Sequence, residues 1–215
     1  MLKTDRGREV LIMKITEIIL NYADKHSVFT IKEITEALQI AKEQENGLRI
    51  ALSRLVKADE LCRYEKGIYG RMKKTAFINK KIAPSIEKMI AHVYLDNCKG
   101  YTSGGDYALE IGITTWCAAK PIIVSNAVNK TQNKENYIVR KPKTKITQDN
   151  LSYLQLLDCI EELKYIPVDN LQTPRIIYNE VKKRDIYKLL FYANNYYKKT
   201  VSNYIIQLIG ENYDT

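Results

Sequence analysis

Thr30-Ile31-Lys32-Glu33-Ile34, then Leu48-Arg49-Ile50-Ala51-Leu52-Ser53-Arg54-Leu55, then Leu61-Cys62-Arg63-Tyr64-Glu65-Lys66-Gly67-Ile68-Tyr69-Gly70-Arg71 decide the fold. Thr30 and Glu33 stand at capping-box spacing and open a helix carrying Ile31, Ile34 and Leu38. A turn follows over 40–45. The next helix, from about Gln44 to Ala58, gathers Leu48, Ala51, Leu52 and Leu55 on one face. Lys42, Asn46, Arg49, Ser53 and Lys57 fall on the opposite face. Leu61 to Arg71 reads as a hairpin, with Gly67 free to take the positive φ its turn requires. Its tip and far arm are basic through Arg63, Lys66, Arg71, Lys73 and Lys74. Upstream, Leu11, Ile12, Ile15, Ile18, Ile19 and Tyr22 recur at helical spacing, and Ser27-Val28-Phe29 is a short β-prone link. The expected fold over residues 1–74 is a winged helix-turn-helix.

The chemistry of those exposed positions suits duplex DNA. A helix about fifteen residues long fits the major groove, and Asn and Arg make bidentate contacts with base edges. A basic hairpin beside it reaches phosphates. Charge points the same way. The 215 residues hold 34 Lys and Arg against 25 Asp and Glu, a net of +9, and the pI is about 9.2. Nucleic acid is the commonest acidic partner of such a chain. Residues 1–41 carry six charges of each sign, so the whole N-terminal excess falls in 42–74. A second basic stretch, 120–145, has seven basic residues against Glu135.

Other classes drop out. Apolar residues are 45% and charged residues 27%, values of a folded chain. No apolar run reaches the ~18 residues of a membrane span, and the first residues lack a signal-peptide pattern. The expectation is a cytoplasmic protein with no membrane partner. GxxxxGK[ST], GxGxxG and HExxH are absent. Cys62, Cys98, Cys117 and Cys159 form no CxxC pair and read as small buried hydrophobes. His26 and His92 are each alone in their segments, and His92 reads as a solvated surface residue. No catalytic residue, metal or cofactor is expected. Glu162-Leu163-Lys164, with Asp149 or Asp158 upstream, matches a nuclease-type Asp…Glu-x-Lys pattern. It falls in a helical segment, whereas such carboxylates normally share a strand face.

Residues 75–215 read as a second, mixed α/β domain with a helical tail, joined by a polar linker over 72–83. Pro84 suits the first turn of a helix to about Asn97. Ser103 suits the cap of a short helix ending at Ile111, with Gly112 just beyond it. Pro121–Ser125 and Tyr137–Arg140 have strand character. Thr147 suits the cap of a helix to about Leu163. Leu190, Ala193, Tyr197, Val201, Tyr204 and Leu208 form one stripe along the tail.

Three features together resemble the antitoxin family of abortive-infection type IV toxin–antitoxin systems. They are Ala51-Leu52-Ser53-Arg54-Leu55-Val56 leading into Gly67-Ile68-Tyr69, the segment Tyr101-Thr102-Ser103 through Ala108-Leu109-Glu110 to Gly112-Ile113-Thr114, and the helical tail around Leu190–Gly210. The chain departs from the family pattern at Gly104-Gly105 and Ile113. The resemblance implies a bacterial phage-defence protein that is not an enzyme. Its winged helix would repress its own operon by binding inverted repeats in promoter DNA, with Arg49, Ser53, Arg63 and Lys66 on the operator-facing surface. Its second domain would neutralise a nucleotidyltransferase-fold toxin without requiring a stable complex. Lys130, Lys134, Arg140, Lys141, Lys143 and Lys145 are the candidates for that antitoxin surface. Two alternatives stand beside this expectation: a nuclease-like protein built on Glu162 and Lys164, and a winged-helix adaptor that binds no nucleic acid.

Overall fold

A computed structural model describes residues 15–41, 44–75 and 78–211. The chain is mixed α+β, ends in helices, and divides into two compact units, Met1–Val93 and Tyr94–Thr215.

Among the described residues of the first unit, α1 covers 15–25, and its Ile19 and Ala23 are fully buried. Leu11 and Ile12 lie outside the described residues. β1 (Val28–Thr30) runs straight into α2 (Ile31–Ala37). The capping box is formed: the Glu33 amide donates to Thr30 Oγ1 at 3.2 Å, and the Thr30 amide donates to Glu33 Oε2 at 2.7 Å. Such a cap contributes about 1 kcal/mol by satisfying amides that the first helical turn leaves without partners. α3 (Glu45–Lys57) follows, then β2 (Leu61–Glu65) and β3 (Ile68–Arg71). The three strands form an antiparallel sheet in the order β1-β3-β2, with Thr30 opposite Ile68. Gly67 takes a φ of +83° in the turn, and its carbonyl accepts from the Ile31 amide at 2.8 Å. This bond ties the hairpin tip to the first residue of α2. Phe29, Ile34, Leu48, Leu52 and Leu61 fill the space between helices and sheet, each at most 2% exposed. Burying each such side chain contributes about 1.5–3 kcal/mol.

The segment expected as a linker is instead a ribbon. β4 (Lys73–Thr75) and β5 (Ile78–Ile82) pair antiparallel. Lys81 bonds Glu60, and the Tyr64 hydroxyl donates to the Pro84 carbonyl, so the ribbon belongs to the first unit. The first unit runs on to Val93, downstream of Lys74, where the end of the wing-like segment set the expected division. Ser85, not Pro84, opens α4 (Ile86–Ile90): its Oγ accepts from the Lys88 amide at 3.3 Å. The helix then widens into a π turn over Ala91–Leu95 and a 3₁₀ turn over Asp96–Cys98. Asn97 and Cys98 have φ near +57° (58° and 56°), which ends the helical path.

In the second unit, β6 (Gly100–Ser103) is a strand where only loop and cap were expected. α5 (Gly105–Glu110) starts after Gly104, whose φ of +66° makes the turn. Ser103 is therefore a strand residue rather than a cap. Gly112 closes the helix as expected, with φ +81°. β7 (Ile122–Ser125), β8 (Gln132–Asn133) and β9 (Ile138–Arg140) complete a four-stranded sheet, order β6-β7-β9-β8. β7 and β9 are parallel and the other pairs antiparallel. α6 (Leu151–Glu162) is preceded by Asn150, and Thr147 contributes its carbonyl to the Asn150 and Leu151 amides instead of a side-chain cap. α7 (Thr173–Lys182), α8 (Ile186–Tyr196) and α9 (Lys199–Glu211) share one core with α6; α8 and α9 pack on it, and α7 packs on them. The tail is thus two helices broken at Tyr197-Lys198. On its expected stripe Ala193, Val201 and Leu208 are buried, and Leu190, Tyr197 and Tyr204 pack partly against them. Cys159 is the one buried cysteine. Cys62 and Cys98 are half-buried and Cys117 is exposed, so the expectation of four buried thiols is corrected.

Candidate nucleic-acid interface

α3 faces two ways because its apolar residues repeat every three or four positions. Leu48, Ala51, Leu52 and Leu55 are buried, and Asn46, Arg49, Ser53 and Lys57 are exposed along the other side. Two residues join that exposed face that the sequence reading omitted, Ile50 and Arg54. The same spacing marks both, since 46, 50, 54 and 57 follow one row of the helix. Ile50 is 47% exposed in the middle of a polar face. Arg49 leans on Glu45 one turn back, 3.7 Å away, with both side chains about half exposed. Solvent weakens such a pair to a few tenths of a kcal/mol, so a phosphate or a guanine edge can displace it. Lys42 lies outside the described residues.

Arg63 and Lys66 are exposed on the hairpin, and the Arg63 Nε donates to the Glu65 carbonyl at 3.2 Å. Lys73 and Lys74 are exposed on β4. Arg71 differs from these. Only 16% of its side chain is exposed; its Nε donates to Asp24 at 2.7 Å and its Nη1 to Glu60 at 2.5 Å. Burial alone would disfavour its charge, but the Asp24 and Glu60 carboxylates outweigh burial and raise its pKa. Glu60 in turn is held below the usual carboxylate range, chiefly by Lys81 and then by Arg71. Arg71 clamps α1 to the turn before β2, and both carboxylates it holds compete with any phosphate for its guanidinium.

His92 is also spoken for. Its Nε2 lies 3.2 Å from Glu33 Oε2, and the side chain is 30% exposed, which corrects the solvated reading. Burial would raise the Glu33 pKa, but bonds from the Thr30 amide and His92 lower it overall.

Within the second unit, the basic stretch is partly consumed. Arg140 pairs with Glu162 and Lys143 with Glu161. Lys143 also stands 3.8 Å above the Tyr197 ring. Lys130, Lys141 and Lys145 are exposed, and Lys134 is half-buried. In the nuclease-type pattern, Glu162 ends a helix and pairs with Arg140. Asp158 is 7% exposed and accepts from the Tyr101 hydroxyl at 2.8 Å. Burial pushes the Asp158 carboxyl up to about 6 against the lowering effects of Tyr101, Tyr197 and Lys143. Among the described residues, no group of three or more His, Cys, Asp or Glu converges as a metal would require. No helix among them is long and apolar enough to cross a membrane.

No protein-family model matches the chain, and a search of curated proteins finds no similar sequence.

Proposed function

We propose that the first unit is a winged helix-turn-helix that binds double-stranded promoter DNA, with α3 as the reading helix and the β2–β3 hairpin as the wing. One observation carries this reading: an α3 face of Asn46, Arg49, Ser53, Arg54 and Lys57 is left open to solvent while its other face fills the core. The element order and the β1-β3-β2 sheet support it, because that sheet fixes the hairpin tip beside α2. Asn46 and Arg49 read base edges, Ile50 meets a thymine methyl, and Lys57, Arg63, Lys66, Lys73 and Lys74 meet phosphates. The wider role is that of a type IV antitoxin which represses its own operon and offsets a nucleotidyltransferase-fold toxin. That part rests on the sequence resemblance in Tyr101–Thr114 and in the tail.

The test is a gel shift of the full chain on the DNA upstream of its own gene. Arg49→Ala with Lys66→Ala lowers affinity, and log K falls against log salt with a slope near −0.9 per phosphate contact, measured from ~50 to ~200 mM salt. Equal affinity in the double variant rejects the reading-helix assignment. Growth rescue on co-expression with a neighbouring nucleotidyltransferase-like gene tests the antitoxin role separately. A second reading, a protein-docking adaptor, has the exposed Ile50 in its favour. It is preferred if no DNA binds at low salt.

A further inference from the structure

The second unit contains a cavity of about 850 Å³ bordered by the ends of α6 and β9, the segment after α5, and the start of α9. That size lies within the range of small-molecule sites. Its floor is apolar, with Ile122, Ile160 and Ile166, and its walls carry Trp116 and Tyr165. Trp116 is 43% exposed and Tyr165 73%, high values for large aromatic side chains. The Trp116 ring lies against Gly105. A Cβ on Gly105 would come 2.8 Å from its ring, so only glycine lets the indole lie this close to the backbone.

Charge in the cavity is asymmetric. Its two carboxylates are already neutralised, Glu162 by Arg140 and Glu161 by Lys143. Lys120, Lys164 and Lys198 line it as well, and none has a carboxylate partner among the described residues. Lys120 donates to the Lys134 carbonyl at 2.8 Å and to Asn133 Oδ1 at 3.4 Å, which holds its ammonium in place and leaves one N–H for a ligand. Lys164 stands 4.6 Å above the Tyr165 ring.

We propose that this cavity is a binding site for a nucleoside phosphate. The base stacks on the Trp116 wall over the isoleucine floor, and the phosphates engage Lys120, Lys164 and Lys198. Stacking on an exposed aromatic tolerates any base, because every base has a π face. Three ammonium groups on one cavity match the charge of a di- or triphosphate better than that of a single carboxylate. The arrangement is independent of the α3 surface, which lies in the other unit.

Trp116 is the only tryptophan of the chain, so its fluorescence reports on this site alone. The full-length protein is titrated with ATP, GTP and UTP, with inorganic triphosphate, and with a short single-stranded oligoribonucleotide. Equilibrium dialysis of labelled ATP serves as a readout free of optical artefacts. The nucleotides quench saturably, inorganic triphosphate binds more weakly, and Lys164→Glu with Lys198→Glu weakens binding by about tenfold or more. A tighter oligoribonucleotide identifies a nucleotide within a strand as the source, and its failure beside active nucleotides identifies the free form. Lys198→Gln, which changes one exposed side chain, gives a smaller loss if the double variant unfolds. The proposal is overturned by no binding of any nucleotide at millimolar concentration. It is equally overturned by triphosphate matching ATP, or by folded lysine variants that bind as the wild type does.

Discussion

Replacing Asp158 by Asn isolates the cost of a carboxyl held among α6, β6 and the tail. The group is 7% exposed and its pKa is pushed from 3.8 to about 6. At 1.36 kcal/mol per unit, the difference between folded and unfolded states is about 3 kcal/mol. The sign follows from the direction. A raised folded pKa means the native state binds the proton more tightly, so this contribution is complete below pH 3.8 and is lost as pH rises through about 6. Asparagine keeps an acceptor for the Tyr101 hydroxyl and cannot titrate. Urea unfolding, followed by Trp116 fluorescence in the same unit, is measured for both proteins from about pH 4 to pH 8. Carboxylates with lowered pKa, such as Glu33, Glu60 and Glu180, pull the other way in both proteins and cancel in the difference. The Asn protein is expected to gain on wild type by up to about 3 kcal/mol over that range. A difference that stays flat with pH refutes the buried-carboxyl account.

Leu52→Ala removes a fully buried side chain and is expected to cost about 2–5 kcal/mol in the first unit, while Ile50→Ala on the opposite face stays within about 0.5 kcal/mol; chemical denaturation separates the two. Thr30→Ala deletes the cap of α2 and is expected to cost about 1 kcal/mol by the same measurement. Gly104→Ala combines a φ of +66° with a Cβ placed 2.7 Å from Glu162 Oε2, and a loss of about 1–3 kcal/mol in thermal or urea unfolding follows. Arg71→Ala is expected to lower stability, and DNA affinity is expected to hold in gel shifts run where the variant is folded.

In the first unit, α2, α3 and the β2–β3 hairpin are legible because each announces itself locally. Thr30 and Glu33 state a helix start, Gly67 a turn, and Leu48 to Leu55 a buried face. What the sequence hides are the long-range partners. Nothing in Arg71 itself says that Asp24 and Glu60 will claim it, and nothing in His92 points to Glu33. The β4–β5 ribbon is equally silent, since Lys73-Lys74-Thr75 is exposed on every residue and lacks the apolar alternation that marks a strand. Ser103-Gly104-Gly105 offers two valid local readings, a capped helix or a strand end. Tertiary pairing of Ser103 with Ile122 decides for the strand. The cavity around Trp116 draws its walls from segments more than eighty positions apart, so no motif encodes it.

The outer margin of the four-stranded sheet ends on β8, two residues long and bracketed by Lys130 and Lys134. A neighbouring molecule seeking to extend the ladder there finds hardly any free backbone and meets positive charge on either flank. So short a border offers strand addition little to pair with. A longer, uncharged insertion at Gln132-Asn133 would turn it into a template for strand addition between copies.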